Sequence, residues 1–145
     1  MSEQVTPEFV QQFRGGFTST MRWHQLDELW RVLGEAPEGW YVYHVGEPPP
    51  GEPLAAEQFV HFCQQLDRLL RAEHAEEYCG IVYADDLRSP CMVKIYDPNN
   101  LGVSCGYSEN PPLPGWVLSR VAPVELESQQ VLPGSRRRWW RRLFA

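Results

Sequence analysis

The chain has 145 residues, the usual size of one domain and enough to bury a core without disulfides or a structural metal. Hydrophobic residues make up 43%, which excludes a disordered bulk, and aromatic residues make up 12%, which supports a packed core and permits a pocket. The formal charge is −6, but residues 135–145 hold five arginines and no acid, so the rest stands at −11 and would repel nucleic-acid phosphates. No apolar run approaches the roughly 20 residues needed to cross a bilayer. Residues 1–6 lack the basic start and apolar stretch of a secretory signal. These features predict a soluble, cytoplasmic protein whose cysteines, Cys63, Cys79, Cys91 and Cys105, are free thiols.

A first helix is expected from Thr6, with Thr6 as cap, Pro7 in the first helical position and Glu8 suiting the dipole. Phe9, Val10 and Phe13 form its apolar stripe, and Gly15-Gly16 ends it. A second helix is expected over residues 20–33, where Trp23, Leu26, Trp30 and Leu33 recur at helical spacing before Gly34 and Pro37. Residues 40–45, rich in Tyr and Val, read as a strand. The proline run at 48–50 excludes helix and central strand, so residues 46–53 form a loop. The strongest signal is a helix over 54–75, with Phe59, Phe62, Cys63, Leu66, Leu69 and Leu70 on one face. A hairpin follows, with strands at 78–84 and 91–96 joined by residues 85–90. Asp97-Pro98-Asn99-Asn100 has turn chemistry. Residues 116–118 suit a short edge strand, and the surrounding sequence has no clear period. The order predicts an α+β fold: three helices on a small, partly antiparallel sheet of three to four strands. The helical crossover between 40–45 and 78–84 would place those two strands parallel. Residues 1–132 form one domain and 133–145 a separate basic aromatic tail, set off by Pro133-Gly134.

No catalytic or metal motif is complete. The cysteines have no Cys-x-x-Cys pairing, and Cys63, Cys79 and Cys91 read as small core residues. Cys105 lies in Gly102-Val103-Ser104-Cys105-Gly106, where a loop between glycines could present a thiol, with His44 as a conceivable base. A packed loop cysteine is the preferred reading, because the sequence places no activating neighbour beside it. Asp85 and Asp86 are adjacent acids that could meet a divalent cation; as hairpin-tip residues they more simply cap a turn, since a hard cation needs several oxygens. The histidines lack helical metal-site spacing, and neither a P-loop, a Gly-x-Gly-x-x-Gly nor a Gly-x-Ser-x-Gly occurs. No cofactor is expected.

On a helix at 100° per residue, Trp139, Trp140, Leu143 and Phe144 share one side of the tail. Arg137, Arg138, Arg141 and Arg142 share the other, and Arg136 falls on the apolar side one turn earlier. Such segregation suits a groove on a protein partner or an anionic membrane surface; it equally suits docking on the chain's own acidic body. The expected function is a non-enzymatic binding or accessory protein that docks to a larger assembly, with the tail as its contact. The alternative is a thiol-dependent enzyme or redox sensor using Cys105.

Overall fold

The computed structural model describes residues 6–99, 113–126 and 134–144. Its elements are α1 (Glu8–Phe13), β1 (Thr18–Ser19), α2 (Trp23–Glu35), β2 (Tyr41–His44), α3 (Ala56–Glu73), β3 (Val82–Ala84), β4 (Met92–Ile95), β5 (Trp116–Ser119) and α4 (Gly134–Leu143). The mixed α+β class is as expected. The described residues contain a fourth helix, built from the tail, and five strands rather than three to four.

The sheet order is β1-β3-β4-β5-β2, and every pairing is antiparallel. The strands at 40–45 and 78–84, expected to lie parallel, run in opposite directions, because three antiparallel pairings separate β3 from β2. β4 and β5 lie between β2 and β3, so α3 crosses the sheet without joining neighbours. The expected edge strand at 116–118 is also wrong: β5 pairs with β4 on one side and β2 on the other. All four β5 residues are buried, as befits a strand covered on both faces. The hairpin of β3 and β4 is present, but its first strand begins at Val82; Tyr78 stays 51% exposed.

Strand alternation separates two apolar layers. Trp40, Val42, Val82, Ala84, Val93, Ile95, Trp116 and Leu118 join the leucines of α2 and the whole predicted stripe of α3 in the larger core. Tyr43, Val45, Met92 and Val117 form the smaller core on the opposite side with Phe9 of α1. Val10, Phe13, Phe17, Val121, Val124 and Leu126 partly cover that second layer. α2 runs through Gly34, whose missing Cβ would meet nothing, and stops at Glu35, just ahead of the residue that Pro37 restricts. Gly39 then turns the chain into β2 with φ +81°, a conformation glycine adopts without strain. Arg120, just past β5, ties that turn down by donating to the carbonyls of Glu38 (2.7 Å) and Ala36 (2.9 Å) while lying over the Trp40 ring.

Candidate functional site

The tail forms α4, and α4 lies on the body. A ten-residue helix is marginal alone, so its order comes from what it docks against. Trp139, Trp140, Leu143 and Phe144 are partly buried against the larger core. Trp139 meets Trp116 edge-on at 5.6 Å, and Phe62 of α3 lies edge-on to both tail tryptophans at 6.4 and 6.1 Å. Docking on its own body, one of the two arrangements open for the tail in the sequence, is the one the structure shows. Of the eight tail residues read as a partner contact, these four apolar ones face inward, whereas Arg137, Arg138, Arg141 and Arg142 are exposed.

Arg136 anchors the helix. It is 3% exposed and makes paired hydrogen bonds to two carboxylates. Its Nε and Nη2 donate to Asp97 at 2.7 and 2.9 Å, and its Nη1 and Nη2 donate to Glu73 at 3.0 and 3.0 Å. Planar guanidinium forks match carboxylates in this two-bond geometry. Burial works against the Arg136 charge, but hydrogen bonds to Glu73 and Asp97 dominate and hold its pKa above the ordinary arginine value. The sequence marked Arg136 as the one arginine on the apolar side. Nothing in it pointed to Glu73 and Asp97, 63 and 39 residues away.

His44 lies under the same helix. Its ring stacks on Trp116 at 5.4 Å and 11°, and Trp140 of α4 covers it at 4.9 Å. Neither ring nitrogen, nor the Trp116 Nε1, has a hydrogen-bond partner among the described residues. Burial first, and the nearby Arg136 charge second, pull the His44 pKa down to about 4, so the ring is neutral at pH 7. Cys105, the thiol for which His44 was considered as base, lies outside the described residues.

The remaining candidates have structural roles. The Asp85 carboxylate accepts the backbone N–H groups of Asp86, Cys91 and Met92 at 3.0, 2.9 and 3.1 Å, which closes the hairpin loop. Asp86 accepts those of Arg88 and Ser89 at 2.8 and 3.2 Å. Both carboxylates thus serve the turn rather than converging on a cation position. Asp85→Ala should lower stability by ~1 kcal/mol, the usual loss of a capping side chain, read by thermal melting; an unchanged midpoint would remove that role. The described residues contain no group of three or more His, Cys, Asp or Glu able to hold a metal. Cys63 and Cys79 are buried as expected, and burial pushes the Cys63 thiol well up, away from reactivity. Cys91 corrects the core reading: it sits one residue before β4, at the mouth of the hairpin, and is exposed. His24 and His61 are exposed, and His74 is buried with its Nε2 2.9 Å from the Cys79 carbonyl oxygen.

Two features escaped the sequence. Lys94 of β4 points into the smaller core, where its amine donates to the Phe13 carbonyl at 2.6 Å and sits 4.0 and 3.9 Å from the Phe13 and Phe17 ring centres. Burial lowers its pKa. A groove of about 300 Å³ between α2 and α3 has Trp30, Phe59, Val60 and Cys63 in its wall and Asp27 and Asp67 at its rim. The Asp67 carboxylate is already engaged by the Trp30 indole and Arg71, both at 2.9 Å. The groove therefore offers an apolar wall whose two rim carboxylates are already paired, Asp27 and Asp67 both with Arg71.

Comparison with protein-family models, curated proteins and solved structures finds no match for this chain. No described helix is long and apolar enough to cross a membrane.

Proposed function

We propose that this chain is a non-enzymatic binding or accessory protein that docks to an acidic protein surface of a larger assembly through the outward face of α4. One observation carries the reading: α4 spends its apolar side and Arg136 on the body, leaving Arg137, Arg138, Arg141 and Arg142 exposed on one short helix. Docking fixes the backbone under these four charges before any partner arrives, which lowers the ordering cost of association. Their sign is opposite to that of the rest of the chain, so the helix is a localised basic feature on an acidic molecule. Such a contact steers acidic partners and weakens as salt rises. Protein acids fit better than nucleic acid, whose long phosphate array would also meet the −11 body.

Binding to polyglutamate, to anionic vesicles and to duplex DNA tests this at two salt concentrations. Changing Arg137, Arg138, Arg141 and Arg142 together to glutamine should weaken polyglutamate binding roughly fourfold or more, at about 0.2–1 kcal/mol per exposed charge, with an almost unchanged melting temperature. Equal binding by the variant and the parent chain would reject the basic-face reading. Preference for vesicles or DNA over polyglutamate would reassign the partner class.

A further inference from the structure

We propose that α4 is a proton-operated latch, closed over His44 when that imidazole is neutral and released when it is protonated. This concerns the regulation of the face described above and rests on that reading only for its consequence. The release itself is a property of the chain alone.

The geometry suits one protonation state. His44 is 1% exposed, sandwiched between Trp116 of β5 and Trp140 of α4, and neither ring nitrogen has a hydrogen-bond partner among the described residues. A neutral ring tolerates such a box better than an imidazolium, which would bring a second N–H and a full charge with no acceptor to meet them. The indole faces attract a cation, but Arg136 of α4 already supplies one, with its guanidinium 5.7 Å from the Trp116 ring centre. The acids near that guanidinium are Glu73 at the end of α3 and Asp97 beyond β4, and both are committed to it. Phe62, the α3 residue against Trp140, is neutral. A proton on His44 therefore meets a positive charge and two aromatic rings, and no described carboxylate is bonded to it.

The two sides of this contact differ in how firmly they are held. β2 is paired with β5 along all four of its residues. α4 has ten residues and is held by the Arg136 socket and by half-buried aromatic contacts. Strain created at His44 is relieved most cheaply by lifting α4. Lifting uncovers Trp139, Trp140, Leu143 and Phe144 and frees the arginine face from its fixed mount. The sign follows from burial, which holds the His44 pKa down to about 4 under the helix, against an ordinary 6.5 for an exposed imidazole. The open form binds the proton more tightly, so closure is fully favoured above pH 6.5 and is lost progressively down to about 4. Across that window the closed-to-open ratio falls by up to about 300-fold, the tenfold per unit of a pKa difference.

Hydrogen exchange of the full chain, followed by mass spectrometry from pH 7.5 to 4.5 and corrected for intrinsic rates, measures the latch directly. The expected result is a tenfold or greater loss of protection in α4 at the acid end while α3 keeps its protection. His44→Phe should keep α4 protected over the same range, and Glu73→Gln should leave the acid release in place. Flat α4 protection in the parent chain would overturn the proposal. So would acid release that persists in His44→Phe, which would assign it to the Asp97 and Glu73 carboxylates, or loss of α3 protection in step with α4. If His44→Phe does not fold, Trp140→Ala serves instead: uncovering His44 should move its NMR titration up towards 6.5, and an unmoved titration overturns the latch. Intact latch behaviour alongside unchanged polyglutamate binding by the arginine variant would reject only the binding function.

Discussion

Arg136→Ala is expected to destabilise the protein by about 3–5 kcal/mol, the loss that follows when one partner of a buried ion pair is removed. The Arg136 side chain is 4% exposed, that of Asp97 3% and that of Glu73 36%, so the substitution strands one fully buried carboxylate and one half-exposed one. Removing one partner is therefore costlier than the pair's net worth, because Asp97 keeps its desolvation without its counter-charge. The damage should spread beyond α4, since Asp97 also accepts the Asn99 backbone N–H at 2.9 Å and packs 3.0 Å from where a Cβ on Gly115 would stand. Arg136→Lys should fall between the two extremes: it keeps the charge and loses the two-bond fork to each carboxylate. Adding Asp97→Asn to Arg136→Ala should recover part of the loss, because a neutral amide is easier to bury than an unpaired carboxylate. Arg137→Ala, one residue along and exposed, should stay within about 0.5 kcal/mol. Urea denaturation of the four variants reads these differences. A loss below about 1 kcal/mol in Arg136→Ala would show that α4 is not held by this socket.

That socket marks where a sequence stops being informative. The side of α4 that faces inward was legible, because Arg136, Trp139, Trp140, Leu143 and Phe144 recur at helical spacing. Whether that side faces the body or a partner was not, because an apolar stripe docks equally well on either. The same division holds across the fold. The α3 stripe was legible because six apolar positions repeat over 18 residues, enough turns for the period to emerge. β1 has two residues and no period to show, and it exists because Thr18 and Ser19 complete the open edge of β3. The strand at 116–118 was visible as a strand but misplaced at an edge; its position between β4 and β2 depends on pairings with residues 21 to 78 positions away. The expected parallel direction failed for the same reason, since a local rule about successive elements cannot see two later strands, β4 and β5, entering between them. His44 was singled out as a conceivable base. Its actual setting, a buried box of indoles, comes from strands and a helix that meet only in the folded chain.

Leu66→Ala is expected to cost about 2–5 kcal/mol, the range for a leucine truncated in a core that cannot close around the cavity. Leu66 is 0% exposed in the larger core, which the leucines of α2 and the inner face of the sheet also line. Both walls are regular elements, so neither can collapse into the space without breaking its own ladder. Its neighbours Phe59, Phe62 and Leu70 are also 0% exposed, which removes a route for water to fill the gap. Leu143 makes the contrast: it lies at the margin of the same core on α4, half-buried, and its truncation should cost less because it leaves a smaller enclosed cavity. Leu66→Met, which keeps most of the volume, should cost under about 1.5 kcal/mol. Arg68→Ala, on the exposed side of α3, should stay within about 0.5 kcal/mol. Urea titration separates these cases, and an unchanged slope would show that stability rather than the denatured state had moved. A Leu66→Ala loss below about 0.5 kcal/mol, the scale of surface substitutions, would mean that the stripe on α3 is not what holds the two helices to the sheet.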